Sequence, residues 1–143
     1  MTHEERERVV EGGTVRIATV LVLLSLLLAG GTLTAQGPKI TPLLSRDLAG
    51  TPGKELSMIT VEYPPGASDP AHTHHAQVMV YVIEGSVVMQ VEGKSPVTLM
   101  PGQTFYEDPD DVHAVARNAS QTARAKFVVF FVKDKGAPLL VPK

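Results

Sequence analysis

Cysteine is absent from this chain. Its absence removes disulfides, thiolate metal ligands and a thiol nucleophile together, and with them a lipid-anchored lipoprotein terminus. Metal chemistry here must rest on histidine and carboxylate. Aromatic residues are few, at 5% of the chain. Those from Phe105 onward sit in apolar runs without interleaved Lys or Arg, so there is no base-stacking, phosphate-tracking surface and no nucleic-acid partner is expected. Neither sign of charge dominates: 13 basic and 15 acidic side chains leave a net charge of −2, which implies no polyanion partner. Long apolar runs are lacking as well, with one exception near the N-terminus.

What the chain does have is punctuation. It carries 12 Gly and 11 Pro in 143 residues, a frequency that favours many short elements over long helices. From residue 43 to 132, runs rich in Val, Ile, Tyr, Phe and Met alternate with Gly, Pro and Asp breaks, the rhythm of a barrel or sandwich. Strands are expected at 56–63, 77–83, 86–91, 96–100, 103–107, 112–117 and 126–132. The breaks between them, such as Glu84-Gly85, Pro101-Gly102 and Asp108-Pro109-Asp110-Asp111, are turns by residue chemistry. Residues 36–143 suffice for one compact all-β domain with its core in 43–132. In 77–83 both parities are apolar: Val78, Val80 and Val82 on one face, Met79, Tyr81 and Ile83 on the other. A strand apolar on both faces is usually covered on both, so a homodimer, or the N-terminal segment, is expected over the second face.

The exception is IATVLVLLSLLLA at residues 17–29, 13 uncharged positions long. That is the length of a signal-peptide core and short for a bilayer span. Small residues around Ala35 offer a cleavage site, whereas Leu33 stands where a small residue is preferred. The expectation is an exported protein, periplasmic or secreted, with residues 1–35 as its leader; the alternative is a membrane anchor over 17–35. The preceding stretch MTHEERERVVEGGTVR holds four Glu and three Arg, unlike the short positive start of an export signal. A natural start near Val15, with Arg16 as the positive flank, would account for it.

Three histidines fall within four residues, His72-Thr73-His74-His75. Residues two apart in an extended strand share a face, so His72 and His74 point one way and His75 the other. Neutral imidazoles at this spacing suit Fe, Mn, Ni, Cu or Zn and need a further ligand from elsewhere. His113 is the remaining histidine of the domain. A solvated surface patch is the competing reading of the cluster.

The stretch GASDPAHTHHAQV from Gly66 to Val78, closed by Gly85, resembles the first motif of the cupins: Gly, five residues, HxH, three residues, Glu, six residues, Gly. The second motif is looser, with Pro101-Gly102, Pro109, His113 and then Asn118 one position late. Together they span 66–118, and the strand rhythm extends the resemblance to about 43–132. The resemblance implies a jelly-roll barrel, a double-stranded β-helix, whose metal ligands fall on His72, His74 and His113. The family's Glu position is Val78 here, which cannot coordinate. The resemblance then implies an ion held by three neutral histidines, as in the cysteine and β-diketone dioxygenases, or Glu107 replaces the carboxylate; Gln77 is disfavoured by parity. Loss of the metal is a third possibility.

If His72 and His74 face inward, so do Val78 and Val80, which form an apolar pocket for a small organic molecule. Tyr106 is a further pocket candidate, as are Met89, Phe105, Phe127, Phe130 and Phe131, although each reads first as plain core. Arg117, four residues after His113 and on its face if the strand is regular, is placed to hold a substrate carboxylate. The functional expectation is a cupin with one divalent ion, Fe, Mn, Ni or Zn, acting as a non-haem dioxygenase on a small organic substrate. The alternative is a non-catalytic binding or sensing module that uses its metal to capture a small molecule.

Overall fold

The computed structural model describes residues 36–143, and among them every regular element is a strand. The leader, its cleavage or anchoring, and the proposed later start lie outside the described residues.

Strands β1 (Lys39–Asp47), β2 (Lys54–Tyr63), β5 (Ala76–Glu84), β8 (Thr104–Glu107) and β10 (Ala125–Asp134) make one antiparallel sheet in the order β1-β2-β10-β5-β8. The second sheet runs β11-β4-β9-β6-β7, built from β11 (Val141–Pro142), β4 (His72–Thr73), β9 (Val112–Asn118), β6 (Val87–Val91) and β7 (Val97–Leu99), with β3 (Ser68–Asp69) also paired to β9. The two sheets close over a shared apolar core, giving the expected jelly roll.

Alternation makes the core. In β5 the side chains of Val78, Val80 and Val82 are buried, and Met79, Tyr81 and Ile83 are exposed. In β10, Phe127, Val129 and Phe131 point inward, and in β2 Ile59, Val61 and Tyr63 do the same. The β2–β10 ladder sets Val61 opposite Phe127 and Ile59 opposite Val129, so inward faces coincide. Each such side chain contributes about 1.5–3 kcal/mol by leaving water.

The strands expected at 56–63, 77–83, 86–91, 96–100, 103–107, 112–117 and 126–132 correspond to β2 and to β5 through β10. Strand β1 carried no such expectation. It is an edge strand, almost wholly exposed, with a register shift between Pro42 and Leu44, so no inside-outside period is written into it. Strands β3, β4 and β11 are two residues long, too short to show a period.

Two turns are built by backbone chemistry. Gly85, which closes the first motif, has φ of 70°, and any Cβ there would collide with the Arg124 carbonyl. Asp110 has φ of 69°, uncommon outside glycine. It is held there by its N–H donating to the His74 carbonyl at 3.0 Å and by its carboxylate on His75 Nδ1. That pins the turn before β9 against the histidine segment.

Candidate metal centre

His72 and His113 are directly opposed in the β4–β9 ladder, and His74 follows two residues after His72. Strand pairing thus brings together side chains 41 positions apart in the chain. All three rings are buried, with 4%, 7% and 4% of their residues' surface exposed. Ring centroids lie 4.7 Å apart for His72–His74, 5.0 Å for His72–His113 and 6.5 Å for His74–His113. One ring nitrogen from each lies within 4.8 Å of the others, a group able to hold a metal ion. His75 points away, exposed and paired with Asp110.

The protonation of each ring follows from its outer partner. His72 Nδ1 donates to the Pro70 carbonyl at 2.8 Å, and His74 Nδ1 donates to the Leu139 carbonyl. His113 Nδ1 faces Glu107 Oε1 at 3.2 Å. A carbonyl or carboxylate oxygen only accepts, so each Nδ1 carries the proton and each neutral ring leaves Nε2 bare. Burial holds the His74 pKa below the usual imidazole range, against the smaller opposing effect of its Leu139 bond. The bare Nε2 atoms of His72 and His74 nevertheless approach to 3.1 Å, and His113 Nε2 is buried with no hydrogen-bond partner among the described residues. Lone pairs so placed repel unless a cation lies between them. Ligand nitrogens about 2.0–2.1 Å from one ion stand about 2.9–3.4 Å apart, so the spacing fits.

Glu107 lies beside the group. It is 2% exposed and pairs across the β5–β8 ladder with Val78, the position at which the family's first motif carries Glu. Its Oε1 lies 3.2 Å from His113 Nδ1, the carboxylate–histidine arrangement that orients a metal-binding ring. Its Oε2 lies 3.8 Å from His74 Nε2 and is buried without a hydrogen-bond partner among the described residues. A buried carboxylate thus stands opposite Val78 on the neighbouring strand, beside the three histidines. Gln77 is exposed, as its parity requires.

Val78 and Val80 line the adjoining cavity, as do Met89, Phe127 and Phe131. Phe105 packs against this core and stacks on the His113 ring at 5.8 Å. Three pocket expectations are corrected. Tyr106 is 46% exposed and pairs with Met79 on the outer face, one residue out of phase with Glu107. Phe130 likewise faces outward, beside Met79 and Tyr81. Arg117 is exposed because β9 carries a bulge: Gln90 pairs with Val115, but Val91 pairs with His113. The extra residue reverses the parity, so Ala116 and Asn118 share the inward side with His113 and Arg117 does not. Asn118 Nδ2 is buried against the carbonyls of Tyr63, Pro64 and Ala123, so its Asn-Ala-Ser sequence is closed to glycosylation.

Sequence reasoning missed three contributors. Tyr63 and Asp69 line the cavity and are hydrogen-bonded to each other. Tyr63 continues the inward parity of Ile59 and Val61, a signal that was available; Asp69 lies in a two-residue strand that gave none. The C-terminal segment is the third. Lys133, 4% exposed, binds Glu55 and the Ala137 carbonyl; beyond it Leu139 and Leu140 line the cavity, and β11 pairs with β4. This strap delivers the carbonyl that fixes His74.

A closed jelly roll with a buried three-histidine group defines the class: a small barrel able to bind metal. The family model described as the cupin domain matches residues 59–131, and the chain belongs to that family. Among solved structures, an oxalate oxidase in complex with the substrate analogue glycolate is 28% identical, with a TM-score of 0.58 over 81% of this chain and 60% of that one. The DMSP lyase DddQ from Ruegeria pomeroyi DSS-3 is 23% identical, with a TM-score of 0.55 over 62% and 43% of the two chains. A cupin domain from Bordetella pertussis Tohama I is 19% identical, with a TM-score of 0.55 over 71% of this chain and 98% of its own. The last two show the fold alone. The chain spans less than two thirds of the lyase and of the oxidase. No curated protein matches the chain.

Proposed function

We propose that this protein is a metal-dependent enzyme of the non-haem dioxygenase type, with one divalent ion, Fe, Mn, Ni or Zn, held by His72, His74 and His113, acting on a small organic molecule. The observation that carries the reading is the 3.1 Å approach of two bare imidazole nitrogens in a buried site. A bound ion supplies Lewis-acid polarisation of substrate and, if redox-active, electron exchange with oxygen. The chain does the rest. Pro70, Leu139 and Glu107 fix the three rings in the tautomer that presents Nε2. Val78, Val80 and Phe131 exclude water from the substrate. Glu107 Oε2 stands as a fourth donor or as a base for a substrate proton. The activity of the 28% identical oxidase supports oxidative chemistry on a small acid.

Oxygen uptake tests the reading. Iron-loaded protein should consume oxygen with a diketone, flavonol, thiol or small carboxylic acid, and His74→Ala should abolish the uptake. Stoichiometric binding of these compounds without turnover would contradict it.

Two further expectations belong to the same reading. The apolar run at 17–29 supports export to the periplasm or beyond, or anchoring by residues 17–35. A terminal peptide from cell-derived protein that begins near Gln36 would establish cleavage. The exposed Met79, Tyr81, Ile83 and Tyr106 of the outer sheet support a homodimer; a monomer by light scattering would count against it.

A further inference from the structure

We propose that the substrate carries a hydrogen-bond donor, a hydroxyl or an ammonium group, at the end away from the histidines, and that Tyr63 and Asp69 receive it. This rests on the metal-site reading above and adds the chemical class of the ligand.

The cavity leaves about 60 Å³ in which the centre of a water molecule can move. At ~10–15 Å³ each, that accommodates about four to six waters, or a short organic chain. Its walls are apolar, and its polar groups form two sets. One is the three histidines with Glu107; the other is Tyr63 with Asp69. No lysine or arginine lines it among the described residues. Arg117, the one cation expected there, is outside because of the β9 bulge.

The second set offers acceptors only. Tyr63 is 1% exposed, and its hydroxyl proton is committed to Asp69 Oδ2. The phenolic oxygen keeps its lone pairs, and the Asp69 carboxylate, which lines the cavity, has a second oxygen with which to accept. A donor arriving here gains a bond to a carboxylate. A second carboxylate would meet like charge with no cation beside it. The register fixes the separation of the two sets. Asp69 pairs with Ala116 and His72 with His113, three residues along both strands, roughly 10 Å of extended chain. A four-carbon acid with a terminal donor, about 6 Å between its polar ends, fits that span with a contact of about 2–3 Å added at each end. A dicarboxylate such as oxalate does not match the charge, which separates this cavity from the substrate of the similar oxidase.

The test uses full-length protein loaded with cobalt(II), its metal content measured first, and four probes of one chain length: 4-hydroxybutyrate, 4-aminobutyrate, butyrate and succinate. Titration calorimetry gives affinity, and the cobalt absorption band reports binding at the histidine end. The hydroxy and amino acids should bind about tenfold or more tightly than butyrate, in keeping with one hydrogen bond to a charged acceptor, and succinate no more tightly than butyrate. Asp69→Asn should bring 4-aminobutyrate down to the level of butyrate while metal content and butyrate affinity hold. Tyr63→Phe, which frees Asp69, should retain the preference. Succinate binding as tightly as the donor-bearing acids, or an unchanged ranking in Asp69→Asn, would overturn the proposal alone. A chain that takes up no cobalt would overturn the metal-site reading and the proposal with it.

Discussion

Val78 and Glu107 are cross-strand partners in the β5–β8 ladder, both buried and both lining the cavity beside the histidines. The carboxylate absent from one strand stands on the residue opposite. Glu107→Gln keeps the shape and a hydrogen bond to His113 but removes the charge, and should weaken metal binding about 10–100-fold in chelator competition. The exchanged pair Val78→Glu with Glu107→Val should recover most of the loss. Unchanged affinity in Glu107→Gln would remove the carboxylate from the account.

The C-terminal strap should matter to the metal as much as a ligand's neighbour does. Deleting residues 137–143 takes away the Leu139 carbonyl on His74, the Ala137 carbonyl on Lys133 and the β11 pairing. Metal affinity should fall about 10–100-fold with the three ligands intact. Retention of full affinity would show that His74 is oriented without the strap.

Arg117→Ala should leave metal affinity and turnover unchanged, because the bulge turns the guanidinium to solvent. An effect on substrate affinity in steady-state kinetics would place Arg117 in the site and contradict the parity reversal.

Burial pushes the Tyr63 hydroxyl far above the usual phenol range, helped by its bond to Asp69. The folded state therefore keeps this proton where the unfolded chain loses it. Below pH ~10 the group adds no pH dependence; above it the unfolded state binds fewer protons, and stability should fall by about 1.4 kcal/mol per pH unit from this residue. Tyr63→Phe should be less stable near neutrality, for want of the hydroxyl's bond, yet flatter above pH ~10. Denaturant midpoints between pH 7 and 11 check this, and parallel curves for the two proteins would refute it.

Much of this was legible in the sequence because period-two alternation survives wherever a strand is central and regular. Val78, Val80 and Val82 in β5 and the HxH pair follow it, and the motif spacing from Gly66 to Gly85 located the metal face. Legibility failed where pairing departs from regularity. The bulge in β9 is a property of two strands together, Gln90 to Val115 and Val91 to His113, and nothing in β9 alone announces it. Edge strand β1 has no buried face to write a pattern. Asp69 reaches the cavity from a two-residue strand and Leu139 reaches His74 through its carbonyl, and a backbone oxygen leaves no mark on residue identity.

The central claim is that His72, His74 and His113 share one ion. Elemental analysis of the purified protein beside His72→Ala and His113→Ala tests it most directly. About one equivalent of iron, manganese, nickel or zinc in the parent, lost in both variants, is the predicted result, since removing either ligand opens the same site. Metal retained in either variant, or none in the parent, would contradict it.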